Sequence, residues 1–393
     1  MKPNPGGILD GQSIIDREQE INSVWKALKG RSVVITSERR VGKTCVLRKM
    51  ATNPEDDWVP VLYWVEGKNH PIEFIEGLYE LILEKEILTD RFQTVKKYYK
   101  KYAGGEQIGS WKLPQITENW KILLESTIQD INNSGKKVLL MFDELPLMIS
   151  KFINSKECGP QMAIDFLDTL RGVRNKYEAE GKVKFVFCGS IGIHLVIKDL
   201  KQNHGYNSDP INNMKIIGLT GMDDDGANLL CEKLIEEEDY QFENKNDVFE
   251  HIRKRTDKLP FYIQHIFDYL LEHNKKQITK NSIDEAVEYL INDPNDEGFF
   301  NHYTDRVETY YDNNIKSLAL QILDNASKKE GFWQEDEIIN FIRTSKEVDD
   351  ETIKETLKLL WNDHYFIRNT EADTREYRFK YSIVKSWWKI NRG

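Results

Sequence analysis

The chain has 393 residues but few cysteines, four in total, and none of them stands in a C-x-x-C pair or at metal-ligand spacing. A scattered set of this size excludes a disulfide framework and a zinc finger, and it predicts reduced thiols in a cytoplasmic protein. The four are Cys45, Cys158, Cys188 and Cys231.

Long apolar runs are also missing. The most apolar stretch, residues 183–197, contains Lys184 and His194 and is too short to cross a bilayer. Residues 1–12 lack the apolar segment of a signal peptide. We therefore expect a soluble, cytoplasmic protein that does not enter a membrane.

Basic residues are outnumbered, 55 against 65 acidic ones, which gives a net charge of −10. This balance argues against broad, non-specific coating of nucleic acid, although it leaves room for a local basic patch. Hydrophobic residues make up 39% of the chain and aromatic residues 11%, enough for real hydrophobic cores. The length predicts two or three domains.

What the chain does contain is a phosphate-binding pattern in residues 37–44, which we call the phosphate loop. The segment follows G-x-x-x-x-G-K-[ST], with Ser37 in place of the first glycine, and it lies between a β-branched strand and a helix predicted to begin at Lys43. Backbone N–H groups at such a helix N-terminus bind phosphate. Gly42 allows close approach, Lys43 neutralises the terminal phosphates, and the Thr44 hydroxyl can ligate Mg²⁺.

The predicted nucleotide-binding set is therefore one continuous segment of the chain. It comprises Ser37, Glu38, Arg39, Arg40, Val41, Gly42, Lys43, Thr44 and Cys45. The alternative, an ordinary strand-to-helix turn, does not explain why Gly, Lys and Thr occur together.

Two further strands end in polar residues. Residues 137–144 predict an apolar strand that delivers Asp143 to the carboxyl edge of a sheet, where it suits Mg²⁺, and Glu144 suits a base that orients the attacking water. Residues 183–190 end in Ser190, whose hydroxyl could approach the γ-phosphate or the water. The alternatives are a strand-end Asp that caps a helix and a plain turn at Ser190.

The order of elements predicts three domains. Strands alternating with helices over residues 1–219 predict an α/β fold with a parallel P-loop NTPase sheet, preceded by an N-terminal arm and a helix capped by Asp16. Residues 220–300 predict a small helical domain. Residues 301–393 predict three helices and a β-hairpin, a winged-helix pattern. Residues 89–113 are interpreted as an insertion or mobile loop.

The final segment, residues 377–392, contains no acidic residue. Its cations could contact DNA, and Arg378, Lys380 and Lys385 are the candidates.

These motifs, in this order, resemble those of the archaeal-type branch of the STAND ATPases, relatives of the AAA+ class. The resemblance covers nearly the whole chain, with Lys258 in place of a glycine that the family has before its proline turn. The phrases that carry it are Asp16-Arg17-Glu18, the phosphate loop, Asp143-Glu144, Gly189-Ser190, Pro260-Phe261-Tyr262, and residues 377–388.

The resemblance implies a sheet-based ATPase core with a helical lid and a winged-helix domain that close over Mg·ATP. It implies that Arg17 and Pro260 flank the adenine and the phosphates. Arginines could contact phosphate within or across protomers, although surface salt bridges are the alternative for each. The candidates are Arg39, Arg40, Arg171 and Arg174.

Two functions follow. The first is an ATP-hydrolysing switch with slow turnover that acts on a protein or nucleic-acid partner or associates with itself. The alternative is a DNA- or partner-binding winged-helix module in which nucleotide is mainly a structural ligand. A small-molecule kinase is disfavoured because Asp143-Glu144 favours water as the nucleophile.

Overall fold

The core of the fold is a parallel β-sheet. A computed structural model of the protein describes residues 1–7, 10–88, 120–371 and 374–393. Within these residues five parallel strands form the main sheet in the order β2-β3-β4-β1-β5. They are β1 Val33–Thr36, β2 Trp58–Trp64, β3 Lys137–Asp143, β4 Val183–Cys188 and β5 Lys215–Gly218. This arrangement confirms the predicted α/β class, while the segment 89–113 lies outside the described residues.

Helices cover both faces of this sheet. Because side chains alternate along a strand, Val33 and Ile35 pack with the hydrophobic core on one face of the sheet, whereas Val34 packs with the core on the opposite face. A single 3₁₀ turn, Gly11–Ser13, precedes the first helix. The helices of this part are α1 Glu18–Leu28, α2 Lys43–Thr52, α3 Pro71–Glu84, α4 Trp120–Asn133, α5 Leu145–Asn154, α6 Gly159–Glu178 and α7 Ile193–Asn203.

Three local features differ from the sequence predictions. Helices α5 and α7 were not predicted, because the polar residues at the strand ends before them were assigned to chemistry. Asp16 does not cap α1: it and Arg17 both adopt left-handed backbone conformations, with φ of 63° and 84°, and α1 begins at Glu18 without a side-chain cap. The cause is tertiary, since the Arg17 side chain is drawn into contacts with distant backbone carbonyls.

A helical region, residues 220–300, follows the sheet. Its first helix is capped by Asp223, whose side chain accepts from the Gly226 N–H at 2.7 Å. Its buried side chains join the same hydrophobic core as α1, α2 and one face of the sheet. The elements are α8 Asp224–Ile235, β6 Gln241–Phe242, α9 Lys245–Thr256, α10 Pro260–Glu272, β7 Gln277–Ile278 and α11 Lys280–Ile291.

A C-terminal region, residues 301–393, completes the described chain. Its strands form an antiparallel three-stranded sheet in the order β8-β10-β9. The first of the three helices predicted for this region is two helices in the structure, because Tyr311 is extended and separates them. The elements are α12 Asn301–Tyr310, α13 Asn313–Ala326, β8 Trp333–Gln334, α14 Glu335–Arg343, α15 Asp350–Asn362, β9 Phe366–Asn369, β10 Glu376–Phe379 and α16 Ser382–Asn391.

Helix α16 was missed by the sequence analysis, which emphasised the charges of this segment. Trp387 and Trp388 are buried, and the Trp388 Nε1–H donates to Asp324 at 2.8 Å, so α16 packs into the shared core. No helix in the described ranges is long and apolar enough to span a bilayer.

Asp257 ties the helical region to α16. Its carboxylate accepts from the Ser382 hydroxyl at 2.8 Å and from the Ile383 N–H at 3.0 Å, and its own backbone is left-handed, with φ of 51°. The carboxylate also lies at a helix N-terminus, where an anion is favoured.

We expect Asp257→Asn to lower the free energy of unfolding by about 1–3 kcal/mol, because the amide has one acceptor oxygen and leaves a donor unpaired. Asn tolerates the left-handed conformation, so backbone strain does not contribute. Urea denaturation measures the effect. Glu250→Gln, at an exposed ion pair on α9, is the control and should leave stability unchanged, because exposed ion pairs contribute little. Equal stability of the two variants would contradict the role of Asp257.

Candidate nucleotide site

A cavity of about 340 Å³ opens at the carboxyl edge of the sheet, beside the phosphate loop. Loop residues line one side, and α8 and α10 contribute apolar side chains. Among its lining residues are Ile14, Ile15, Arg17, Arg39, Arg40, Gly42, Lys43, Thr44, Cys45, Arg48, Glu144, Ser190, Met222, Leu230, Pro260, Phe261 and Gln264.

The phosphate loop has the backbone that its sequence demands. Gly42, with φ of 105°, stands at the N-cap of α2, and Lys43 is the first helical residue. Ser37, which replaces the expected glycine, is not among the residues with positive φ, so the backbone there does not require glycine. The departure from the family pattern therefore leaves the loop geometry intact.

Lys43 is buried inside the loop. It is 6% exposed, and its ammonium donates to the Ser37 carbonyl at 2.9 Å and to the Glu38 carbonyl. Burial lowers the pKa of Lys43, an effect that nearby carboxylates oppose. The ammonium is thus satisfied by the carbonyls of its own loop.

Thr44 and Asp143 meet across the site. The Thr44 hydroxyl donates to the Asp143 carboxylate at 2.8 Å, and Asp143 is 1% exposed at the end of β3. A hydroxyl and a carboxylate are the hard oxygen ligands that Mg²⁺ takes beside substrate phosphates. These two side chains therefore fit the metal role predicted for them.

Glu144 follows in a left-handed conformation, with φ of 62°, at the start of α5. One carboxylate oxygen accepts from the Ser190 N–H at 2.7 Å and from the Ser190 hydroxyl at 2.9 Å. Burial raises the pKa of Glu144, and the hydrogen bonds from Ser190 act in the opposite direction. The structure thus brings together the two residues that the sequence assigned to the attacking water.

Arg17 lines the cavity and also donates hydrogen bonds to the parts of the chain that surround it. It is 2% exposed, and its guanidinium donates to the Val41 carbonyl at 2.6 Å, to the Thr220 carbonyl at 2.9 Å and to Glu20 at 2.6 Å. These contacts join α1, the phosphate loop and the start of the helical region.

Pro260 lines the cavity as the first residue of α10. Lys258, which replaces the family's glycine, has φ of 58° and so adopts the backbone conformation that glycine would supply. Gln264, one turn later on α10, also lines the cavity. The sequence analysis missed Gln264, although residues four apart share a helix face and Pro260 pointed to it.

Of the four candidate arginines, two line the cavity and two do not. Arg39 lines the cavity and is exposed. Arg40 also lines it, but its guanidinium lies over two rings, 3.9 Å from the Phe299 centroid and 4.8 Å from that of Phe261. Cation–π contacts of this kind attach the loop to the segments around α10 and α12.

Arg174 is not placed for phosphate contact. It is fully buried and donates to the Asn212 carbonyl at 2.8 Å, so its role is to hold the chain before β5. It is not among the residues that line the cavity, and neither is Arg171. Sequence could not separate Arg171 and Arg174, which lie on α6, from Arg39, because the residue type alone does not show which arginines face the cavity.

The site and fold together define a class, the P-loop ATPases with an AAA+-like sheet. A family model described as an ATPase domain predominantly from Archaea matches residues 14–266. The chain therefore belongs to this archaeal-type ATPase family, which confirms the resemblance seen in its motifs. No significant match is found among curated proteins.

The chain is also similar to several solved structures, and the first of them, with a TM-score above 0.5, has the same fold. The Walker-type ATPase PABY2304 of Pyrococcus abyssi is 15% identical with a TM-score of 0.62, covering 96% of this chain and 97% of its own. The Aeropyrum pernix ORC2 protein, in ADPNP and ADP complexes, is 11% identical with a TM-score of 0.45, covering 98% and 97%. The RuvB Holliday junction branch migration motor of Thermotoga maritima is 12% identical with a TM-score of 0.38, covering 92% and 91%.

We expect Ser190→Ala to move the acid limb of the ATP turnover profile to higher pH. A carboxylate that is to act as a base must be ionised, and loss of the hydroxyl removes a donor that stabilises the Glu144 carboxylate, so the pKa of Glu144 rises. One hydrogen bond of about 1 kcal/mol corresponds to a shift of up to about one pH unit. A pH–rate series on the variant measures it.

Ser23→Ala, which removes an exposed hydroxyl on α1, should leave the pH profile unchanged. A Ser190→Ala profile that coincides with that of the wild type would show that Ser190 does not act on the base.

Proposed function

We propose that the protein is an ATP-hydrolysing molecular switch whose helical and C-terminal regions respond to Mg·ATP. The observation that carries the proposal is the convergence of Lys43, Thr44 and Glu144 at one cavity, with Asp143 hydrogen-bonded to Thr44 beside it. In sequence the loop and the acidic pair are about a hundred residues apart, and parallel strands β1 and β3 bring them to the same edge.

The roles follow from the contacts. Mg²⁺, held by Thr44 and Asp143, would neutralise charge on the β- and γ-phosphates. Lys43 would leave the loop carbonyls and donate to the terminal phosphate. Glu144 would orient the attacking water and accept its proton, with Ser190 fixing the carboxylate until the water is in place.

The two sides of the cavity belong to different parts of the chain, which supports a switch rather than a rigid enzyme. Met222 and Leu230 belong to the helical region, and Pro260 begins α10, whereas the phosphate ligands belong to the sheet. A nucleotide in this cavity would contact both parts at once. Its binding would therefore favour one relative position of the two parts, which is how a ligand shifts a conformational equilibrium.

Slow or partner-stimulated turnover belongs to this proposal. Because the cavity is lined by both the sheet part and the helical region, hydrolysis would depend on how these two parts are positioned, and a partner that positions them would control its rate. We assign the chain to the STAND-like switches on this ground, with a protein partner or a second copy of the chain as its target in the cytoplasm. The helical lid and winged-helix domain are parts of the same proposal.

The DNA-binding alternative is weakened by the positions of its three cations. Lys380 is partly buried, and its ammonium lies 3.4 Å from His364 Nδ1. Lys385 pairs with Glu330 at 3.5 Å. Arg378 alone of the three is exposed. The predicted basic footprint is therefore not one surface, because α16 folds into the core and turns part of it inward.

We expect Lys43→Ala to weaken ATP binding by at least about tenfold, because a charged hydrogen bond worth about 1.5–3 kcal/mol is lost. Glu144→Gln should bind ATP within about threefold of the wild type yet lose about 100-fold or more in turnover, as expected for a general base. Equilibrium binding and phosphate release measure the two effects.

Lys26→Ala, an exposed lysine on α1, is the control and should change neither quantity. A wild-type protein that binds no ATP would refute the proposal, and Glu144→Gln with full turnover would refute the assignment of the base.

A further inference from the structure

Glu38 stands within the phosphate loop, but its side chain turns away from the cavity. It is 0% exposed, and its carboxylate lies 3.1 Å from the guanidinium of Arg306 on α12. Glu38 is not among the cavity-lining residues, although the residues on its C-terminal side, Arg39 and Arg40, are. The loop therefore has one face for the nucleotide and one charged contact with the C-terminal region.

Arg306 is held firmly on its other side. It is 4% exposed, and its guanidinium contacts the Asp363 carboxylate at 3.2 Å, the Asp363 carbonyl at 3.0 Å and the Tyr365 hydroxyl at 3.2 Å. The Tyr365 hydroxyl in turn donates to the Tyr303 carbonyl at 2.6 Å. The guanidinium is thus fixed to α12 and to the end of α15. Of the contacts named here, only the one with Glu38 reaches the phosphate loop.

The same residue holds Lys43 through its main chain. The Lys43 ammonium donates to the carbonyls of Ser37 and Glu38, the two loop residues that precede Arg39. To reach a phosphate, the ammonium must leave these carbonyls. Glu38 consequently links Lys43, through its main-chain carbonyl, to Arg306, through its carboxylate. Arg306 lies outside residues 14–266, the part matched by the family model.

We propose that Arg306 is a positioning residue, a latch that holds Glu38 and favours the loop conformation in which Lys43 is engaged by its own backbone. The proposal rests on the proposed ATP switch and specifies its regulation. Nucleotide binding works against the latch, so by reciprocity the latch lowers nucleotide affinity and bound nucleotide loosens α12 from the core.

The Glu38–Arg306 ion pair suits a latch because not all of its polar atoms are hydrogen-bonded. The second Glu38 oxygen has no hydrogen-bond partner among the described residues. A buried ion pair stabilises a fold only when its remaining polar atoms are satisfied, so releasing this pair is less costly than releasing a fully bonded one. A purely structural ion pair would instead affect stability and leave nucleotide affinity unchanged.

The test is the ATP affinity of Glu38→Gln, which keeps the shape of the side chain and removes its charge while Arg306 retains Asp363. We expect ATP to bind about tenfold more tightly than to the wild type, within the usual range for coupling between two sites. In the wild type, ATP should also increase amide hydrogen exchange in α12. Affinity that is unchanged or weaker would overturn the latch.

Arg306→Lys provides a second variant that keeps the positive charge but lacks the fork that spans two carboxylates. It should also tighten ATP binding, and adding it to Glu38→Gln should produce little further change, because both remove the same contact. Fully additive effects would overturn the latch, since they would show that the two residues act separately.

Glu335→Gln is the matched control. Glu335 is also a buried glutamate that faces an arginine, Arg375 at 3.5 Å, and it accepts from the Tyr377 hydroxyl at 2.9 Å, but it lies away from the loop. This variant should not change ATP affinity, and a tightening equal to that of Glu38→Gln would overturn the latch in favour of general loosening. If the wild type binds no ATP, the proposed function fails as well.

Discussion

Burial of charge in the phosphate loop is the constraint on which the rest of the structure depends. Glu38, Lys43 and Asp143 are each less than a tenth exposed. A buried charge without a partner is costly, so each must find one inside the protein. Their partners are the loop carbonyls, Thr44 and Arg306, and these come from both ends of the chain. The phosphate loop therefore requires partners far outside itself, such as Arg306.

This requirement explains why the helical and C-terminal regions pack so closely on the sheet. Arg17 joins the loop to Thr220, and Arg40 lies over Phe261 and Phe299. A single hydrophobic core continues from α1 and α2 through the helical region to α16. A change in the loop therefore cannot stay local, because its side chains are attached to all three parts of the chain.

Much of the fold could be predicted from local pattern. Strand β3 and the helix that begins at Lys43 are specified by apolar runs and by the loop motif, both of which are short-range signals. Helices α5, α7 and α16 were missed because each follows a strand or motif whose polar residues drew attention to function. Ser37 and Lys258 both stand where the family pattern has glycine, and only the backbone angles show why the chain accepts them. Ser37 does not have a positive φ, whereas Lys258 adopts one.

The sequence by itself determined the type of chemistry, because Gly42, Lys43, Thr44, Asp143 and Glu144 carry their meaning in spacing and in the strands that precede them. Only the tertiary structure decided which way the other charges face. Arg174 and Lys380 turn inward, and Glu38 meets Arg306 across 268 positions of sequence. No local sequence pattern predicts such a contact, since the packing of the core decides whether a charged side chain faces solvent or a buried partner.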